Sequence, residues 1–322
     1  MSNLKDVAIR GLTGIASLWG IGLIWQMHAE INRRQATYTA HPQYEDFLLA
    51  LLAFVVLVVV QLLFRRYFSD VARSVMPKKA RWSMLVWDAK VDRCCDAVFK
   101  CAFYAVATAL GFASLRHEAW MPWPLGGSGA TRHCWSGYPG QAVSQTLKNY
   151  YLLTLGFQLS EAALLLLETR HPDFWEMFLH HLVTCFMACF SYVLNYVRIG
   201  SLVMLLHGAT DFFVYASKAF VDTHFKRLSI ICYFALIVAY AWFRIYVFPV
   251  HVMRSAWVES VEEAGDSLYA WGFFNFALWV LLLLHMYWFG LIVKIGMQFQ
   301  RTGEARDLQS NLSRMELHKK SS

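Results

Sequence analysis

Residues 47–64 read FLLALLAFVVLVVVQLLF, a run without a charged side chain. A transmembrane α-helix needs about 20 consecutive apolar residues, because the hydrocarbon core of a bilayer is about 30 Å thick. The run therefore predicts a transmembrane helix. The whole chain of 322 residues agrees, since 57% of its residues are hydrophobic and only 16% are charged, whereas soluble domains carry about 25% charged residues.

Six further apolar segments predict an all-α polytopic membrane protein with about seven transmembrane helices. The short link at residues 195–200 makes the fourth and fifth helices a hairpin. Residues 7–27 contain Arg10 and several glycines, so they predict an interfacial helix within an N-terminal segment 1–46, with a poor extra span as the alternative. The six segments are residues 97–115, 149–167, 174–196, 199–220, 228–248 and 270–293.

The distribution of Lys and Arg predicts the orientation of these helices. Basic residues are dense in segment 65–96, a predicted cytosolic loop, and in the tail 294–322. The segment 249–269 instead holds four acidic residues and is predicted to be lumenal. We therefore expect a lumenal N-terminus and a cytosolic C-terminus. The net charge of +7 belongs to these loops, and we expect no nucleic-acid partner.

The chain ends with Lys319-Lys320-Ser321-Ser322. Two lysines in this position of a cytosolic tail resemble the dilysine retrieval signal of endoplasmic-reticulum membrane proteins. A solvated basic tail is the alternative. We therefore expect a multi-pass protein of the endoplasmic-reticulum membrane.

The fourth and fifth predicted helices carry the densest set of polar residues within the membrane. His181 lies 14 residues before Asn195, and Asp211 lies 13 residues after Arg198. At a rise of about 1.5 Å per residue, both lie about 20 Å from the hairpin turn. Antiparallel packing therefore brings His180, His181 and Asp211 to one depth, and ionisable groups in a membrane are functional candidates. Ser191, Asn195, Arg198, His207 and Lys218 complete the set.

The chemistry of this set favours acyl transfer. A neutral imidazole can deprotonate an amine or alcohol, or can itself accept an acyl group, and a nearby carboxylate orients it. Interhelical hydrogen bonding without catalysis is the alternative. We expect no metal ion, because adjacent side chains such as His180 and His181 point about 100° apart on a helix.

The sequence around these residues resembles the TLC-domain family, and within it the ceramide synthase branch. The stretch from His180 through Asp211 to Lys218 is similar to the Lag motif of that branch, and flanking segments at 134–139 and 244–249 match in character. The resemblance covers roughly residues 90–300. It implies a six-helix TLC domain at 97–293, a barrel-like bundle around a central cavity, preceded by the first transmembrane helix at 47–64.

The resemblance also implies an activity, the N-acylation of a sphingoid long-chain base by a fatty acyl-CoA to give a (dihydro)ceramide. His180 would accept the acyl group or act as general base, with support from His181, and Asp211 would orient the imidazole. His207, Ser191, Asn195, Arg198 and Lys218 would support the site or line the substrate cavity. Acyl-CoA would be a co-substrate, with no permanently bound cofactor. A homodimer, or a heterodimer with another synthase, is compatible with the resemblance.

Two positions depart from the pattern of that branch. Gly208 stands where an aspartate is usual, and Tyr215 stands where a glutamate is usual. Gly208 leaves Asp211 as the remaining acidic partner for the histidines. Two non-catalytic interpretations therefore stay open: a TLC-fold protein that senses or transports lipid, and a regulatory subunit of a hetero-oligomeric synthase.

Overall fold

The computed structural model describes residues 25–39, 41–79, 82–167 and 174–302. This part of the chain holds seven helices that are long and apolar enough to cross a membrane, and it holds no strand. The predicted all-α fold with seven spans is therefore confirmed. The barrel-like arrangement of the last six stays a prediction. The helices are α1 (Phe47–Val75), α2 (Met84–Leu115), α3 (Gln145–Leu167), α4 (Phe174–Val193), α5 (Val197–Phe220), α6 (Lys226–Ser267) and α7 (Trp271–Thr302).

The segment 65–96, predicted as a loop, is mostly helical because α1 continues to Val75 and α2 begins at Met84. The predicted span ended at residue 64 because charged arginines follow it, yet these arginines do not end the helix. They pair with acidic residues of α2 instead, since Arg65 Nε lies 2.9 Å from Asp96 Oδ1. An ion pair also joins Arg73 to Asp88 at 2.8 Å. The two helices thus extend as a hairpin beyond the apolar run.

The segment 249–269, predicted as a lumenal loop, is also mostly helical. After Tyr240 the helix α6 widens into π-helical turns over Ala241–Met253 and Ser255–Glu259. Pro249 lies inside the first of these stretches. The predicted span 228–248 ended just before this proline, which lacks the N–H that a helix interior uses, yet the helix continues through it. The actual link to α7 is short and follows Ser267.

One end of the bundle, which we call the Asn195 end, contains the connections 116–144, 194–196 and 268–270. A helix over residues 25–37 lies at this end, and its Ile31 is buried in the main hydrophobic core. We call it the N-terminal helix. The interfacial helix predicted at 7–27 lies almost wholly outside the described residues, as does the dilysine end.

Asn195 forms the tight turn between α4 and α5. Its φ of 62° is in the left-handed region, which asparagine tolerates better than most residues. Its side-chain Nδ2 donates to the carbonyl oxygens of Pro139 at 2.8 Å and Gln141 at 2.9 Å. In return Gln141 Nε2 donates to the Asn195 carbonyl at 2.9 Å. The hairpin that carries the site residues is thereby fastened to segment 116–144.

We expect Asn195→Ala to lower the melting temperature of the purified protein clearly. Each buried carbonyl left without a donor costs about 1–3 kcal/mol, and a left-handed alanine costs roughly 1–2 kcal/mol more. Thermal unfolding in detergent measures the effect. Asn149→Ala, at an exposed position of α3, is the control and should change little. Equal melting temperatures for the two variants would contradict the assigned role.

Candidate functional site

A cavity that is partly open to the outside lies among helices α2 to α7, and its empty space, with the open part included, is about 1120 Å³. The walls are mostly apolar and aromatic, so the cavity suits a ligand with a long apolar part. Six residues discussed in the sequence analysis line this cavity: His180, His181, Ser191, His207, Gly208 and Asp211.

His180 and His181 line this cavity with half-buried side chains. The ring centroids lie 5.6 Å apart with an interplanar angle of 65°. In the described part of the chain, the Nδ1 atoms of both rings are buried without a hydrogen-bond partner. Leaving such an atom unsatisfied costs about 1–3 kcal/mol, so a ligand or a water that supplies the partner would be stabilised there. Trp288 packs edge-on against His180 at 5.2 Å between ring centroids.

Asp211 is paired with Arg244 rather than with an imidazole. The Oδ1 atom of Asp211 accepts from Nη2 of Arg244 at 2.5 Å, and both side chains are largely buried. Among the described residues no hydrogen bond joins Asp211 to His180 or His181. The predicted contact is therefore corrected: a buried guanidinium needs an anion, and Asp211 is the carboxylate that α5 presents to α6. Sequence reasoning noted Arg244 but did not connect the two.

His207, in the cavity wall, forms a hydrogen-bonded pair with His285 of α7. His207 Nδ1 lies 2.7 Å from the Val203 carbonyl oxygen, which only accepts, so this nitrogen carries the proton. Nε2 of neutral His207 must then accept from His285 Nε2–H, 3.0 Å away. Both nitrogens of His207 are thus occupied. His180 and His181 remain as the cavity imidazoles with a free nitrogen.

A second buried ion pair joins Lys100 of α2 to Glu161 of α3. Glu161 lines the cavity together with Tyr104. Tyr104 stacks on Tyr215 at 5.6 Å between ring centroids, and Lys100 Nζ lies 5.4 Å from the centroid of Tyr215. Sequence reasoning mentioned Glu161 and missed Lys100. The available signal was a lysine inside the predicted span 97–115, which membrane helices rarely tolerate without a partner.

Three of the predicted supporting residues lie outside the cavity. Asn195 forms the α4–α5 turn described above. Arg198 donates to the carbonyl oxygens of His133 and Ser136 at 3.1 and 3.4 Å, so it holds segment 116–144. Lys218 is exposed, with Nζ 5.7 Å from the centroid of Tyr215. These residues were grouped with the histidines by sequence proximity, but their side chains leave the helices in other directions.

Comparisons with known proteins show what the chain is similar to. The TLC domain family model matches residues 93–294, well over half of the chain. Ceramide synthase 4 of Bos taurus is 32% identical over 223 residues, which are 69% of this chain and 55% of the relative. ASC1-like protein 1 of Oryza sativa subsp. japonica is 28% identical over 283 residues, 83% of this chain and 89% of that protein. The chain spans about half the length of the mammalian ceramide synthases it matches.

We expect Arg244→Met to destabilise the protein strongly, because it leaves the buried Asp211 carboxylate without its cation. Breaking one side of a buried ion pair costs about 3–5 kcal/mol. The double variant Asp211→Asn with Arg244→Met removes both charges and should regain much of the lost melting temperature. Thermal unfolding of the two single variants and the double variant measures the coupling. Additive losses would show that the pair does not interact as described.

Proposed function

We propose that this chain, which belongs to the TLC domain family, is a ceramide synthase. It N-acylates a sphingoid long-chain base with a fatty acyl-CoA. The names of several relatives support ceramide synthesis. The site chemistry supports acyl transfer independently of those names.

One observation carries the proposal: His180 and His181, whose Nδ1 atoms have no hydrogen-bond partner among the described residues, line a mostly apolar cavity that also contains a carboxylate. A nitrogen nucleophile or base held in a water-poor cavity favours acyl transfer over hydrolysis, because closing out water prevents side reactions. The apolar walls suit the hydrocarbon tails of both substrates. Two further buried imidazoles, His207 and His285, are already bonded to each other, which directs the assignment to His180 and His181.

The reaction can follow either of two balanced routes. In the first, an imidazole nitrogen of His180 attacks the thioester carbonyl, the C–S bond breaks, and CoA leaves as a thiol after gaining a proton. The substrate amine then attacks the acyl-imidazole, the amide bond forms, and the imidazole recovers a proton from the amine. In the second, the amine attacks the thioester directly while His180 takes a proton from it; the C–S bond then breaks, and the His180 imidazolium gives the proton to the CoA thiolate.

The neighbouring groups have supporting roles in both routes. His181 lies beside His180 and can relay or stabilise the proton. Asp211 stays negatively charged because Arg244 balances it, so the carboxylate can stabilise a cationic amine or imidazolium that forms nearby. The reaction needs no permanently bound cofactor, since the thioester itself is the activated acyl group.

The proposal extends to the cellular setting. A sphingoid base partitions into the bilayer, and an acyl-CoA approaches from the cytosol, so a multi-pass protein of the endoplasmic-reticulum membrane suits both substrates. The basic residues of segments 65–96 and 294–322 support a cytosolic C-terminus. A homodimer, or a heterodimer with another synthase, is the proposed assembly.

We expect His180→Ala to lower the rate of ceramide formation by about 10²–10⁴-fold, the usual contribution of a positioned acid–base group. Asp211→Asn should also lower the rate. Purified protein is supplied with a sphingoid base and a panel of acyl-CoAs, and the amide product is measured by mass spectrometry. His117→Ala, at an exposed position at the end of α2, is the matched control and should keep its activity.

Two results would overturn the assignment. Product formation that survives His180→Ala and His181→Ala would exclude the two histidines as the catalytic site. No product from folded wild-type protein with any acyl-CoA would remove the enzymatic function, and it would favour the lipid-binding or regulatory interpretations. A trapped acyl group on a histidine would select the covalent route.

We expect Gly208→Asp to raise the rate, because it adds a carboxylate to the cavity wall. A Cβ atom at position 208 would lie 3.1 Å from Thr108 Oγ1, a close contact with a hydroxyl that is buried without a hydrogen-bond partner in the described chain. That hydroxyl can donate to the new carboxylate after a small shift. Steady-state kinetics with Gly208→Asn as the uncharged control separate charge from size. Equal rates for both variants would show that the missing charge does not limit the reaction.

A further inference from the structure

Arg34 of the N-terminal helix is a buried arginine that no step of the proposed reaction uses. Its side chain is only 3% exposed and makes three directed contacts. Nε donates to Glu30 at 2.6 Å, Nη1 donates to the Tyr138 hydroxyl at 2.6 Å, and Nη2 donates to the Ser267 carbonyl oxygen at 2.8 Å. One guanidinium thus joins the N-terminal helix, segment 116–144 and the α6–α7 link. Arginine suits this position because its planar fork holds several acceptors at once.

A second series of contacts connects Arg34 to the α6–α7 link through Tyr138 and Tyr196. The Tyr138 ring stacks on the ring of Tyr196 at 5.0 Å between centroids and an interplanar angle of 7°. The Tyr196 hydroxyl donates to the Tyr269 carbonyl oxygen at 2.9 Å. Arg34 therefore holds the Ser267 carbonyl, at the end of α6, directly. It holds the Tyr269 carbonyl, in the α6–α7 link, through the stacked rings of Tyr138 and Tyr196. Ala270 follows with a φ of 58°, so the link reverses sharply into α7.

Residues that contact or follow this link form the end wall of the cavity. Trp135, Tyr196 and Phe274 line the cavity at the Asn195 end and are buried. Trp271, the first residue after the link, also lines it, and its indole N–H donates to the Ala256 carbonyl oxygen at 3.0 Å. His181 lies 14 residues before Asn195, so about 20 Å of helix α4 separates the site from this wall. An apolar tail that starts at the histidines runs towards it.

We propose that Arg34 is a positioning residue that fixes this end wall and thereby limits the length of the apolar tail that the cavity accepts. The inference rests on the proposed function, because the tail is that of the acyl donor. Arg34 touches no substrate. It acts through the Ser267 carbonyl and through Tyr138, which together set where the link and Trp271 lie.

The charge of this cluster is stable at physiological pH. Hydrogen bonds from Arg33 and Arg34 lower the pKa of Glu30 from 4.5 to about 2. A carboxyl group with a depressed pKa keeps its stabilising charge above its unfolded-state pKa and loses it only as the pH falls through the folded value. Glu30 therefore stays ionised and holds Arg34 throughout the neutral range.

The test compares Arg34→Met with Arg33→Met. Arg33 also bonds Glu30, at 2.7 and 2.8 Å, but it is 67% exposed and is not bonded to the link. Full-length protein is assayed with saturated acyl-CoAs of increasing length, and kcat/KM is measured for each. Each buried methylene is worth roughly a fourfold change in binding. The ratio of kcat/KM for two donors that differ by two methylenes should therefore shift by up to about sixteenfold towards the longer donor in Arg34→Met, and by less than about twofold in Arg33→Met.

The possible outcomes distinguish a failure of the role assigned to Arg34 from a failure of the proposed function. Product from wild-type protein with the same length preference in Arg34→Met and Arg33→Met overturns this inference alone. No product from wild-type protein with any donor overturns the proposed function and this inference with it. If Arg34→Met does not fold, Tyr138→Phe removes the hydroxyl that Arg34 binds but keeps the ring on Tyr196. It should shift the ratio in the same direction by a smaller factor, and an unchanged ratio counts against the inference.

Discussion

The structure depends on one constraint: an ionised side chain inside a membrane must find an opposite charge, because lipid supplies no solvent for it. Asp211 meets Arg244 between α5 and α6, and Lys100 meets Glu161 between α2 and α3. These two pairs tie α5 to α6 and α2 to α3 beside the cavity, which Asp211 and Glu161 line. In the proposed reaction their carboxylates would stabilise a cation that forms nearby. The ion pairs would then serve both the packing of the bundle and the proposed chemistry.

Four histidines lie at the cavity or next to it, and their bonding differs. Both nitrogens of His207 have partners, since Nδ1 faces the Val203 carbonyl and Nε2 faces His285. His285 is bonded through Nε2, and its Nδ1 has no partner among the described residues. His180 and His181 keep buried nitrogens without a partner in the described chain. Unsatisfied buried polar atoms are rare in folded proteins, and where they persist they indicate a missing ligand. This difference follows from geometry, since all four residues are equally plausible acid–base groups when considered only as residue types.

The two ends of the cavity have different physical character. The polar groups gather around the histidines and the two ion pairs, whereas aromatic rings close the Asn195 end. The aromatic end is held from outside by Arg34 and the stacked pair Tyr138 and Tyr196. A substrate with a reactive polar head and a long apolar tail matches this polarity. The N-terminal helix thus contributes to the shape of the cavity, although it lies outside the family match at 93–294.

The sequence by itself determined the class of the fold, since hydrophobic runs of membrane-spanning length have few alternatives in lipid. Residue counting from the α4–α5 turn also placed His180, His181 and Asp211 on one cavity correctly. Only the tertiary structure decided which side chains pair: Asp211 with Arg244, His207 with His285, and Lys100 with Glu161. The helix ends at Val75 and Ser267 could not be predicted either, because hydropathy indicates where a chain leaves the lipid and not where its helix ends. Periodicity gives the face of one helix, but side-chain contacts depend on which helices become neighbours.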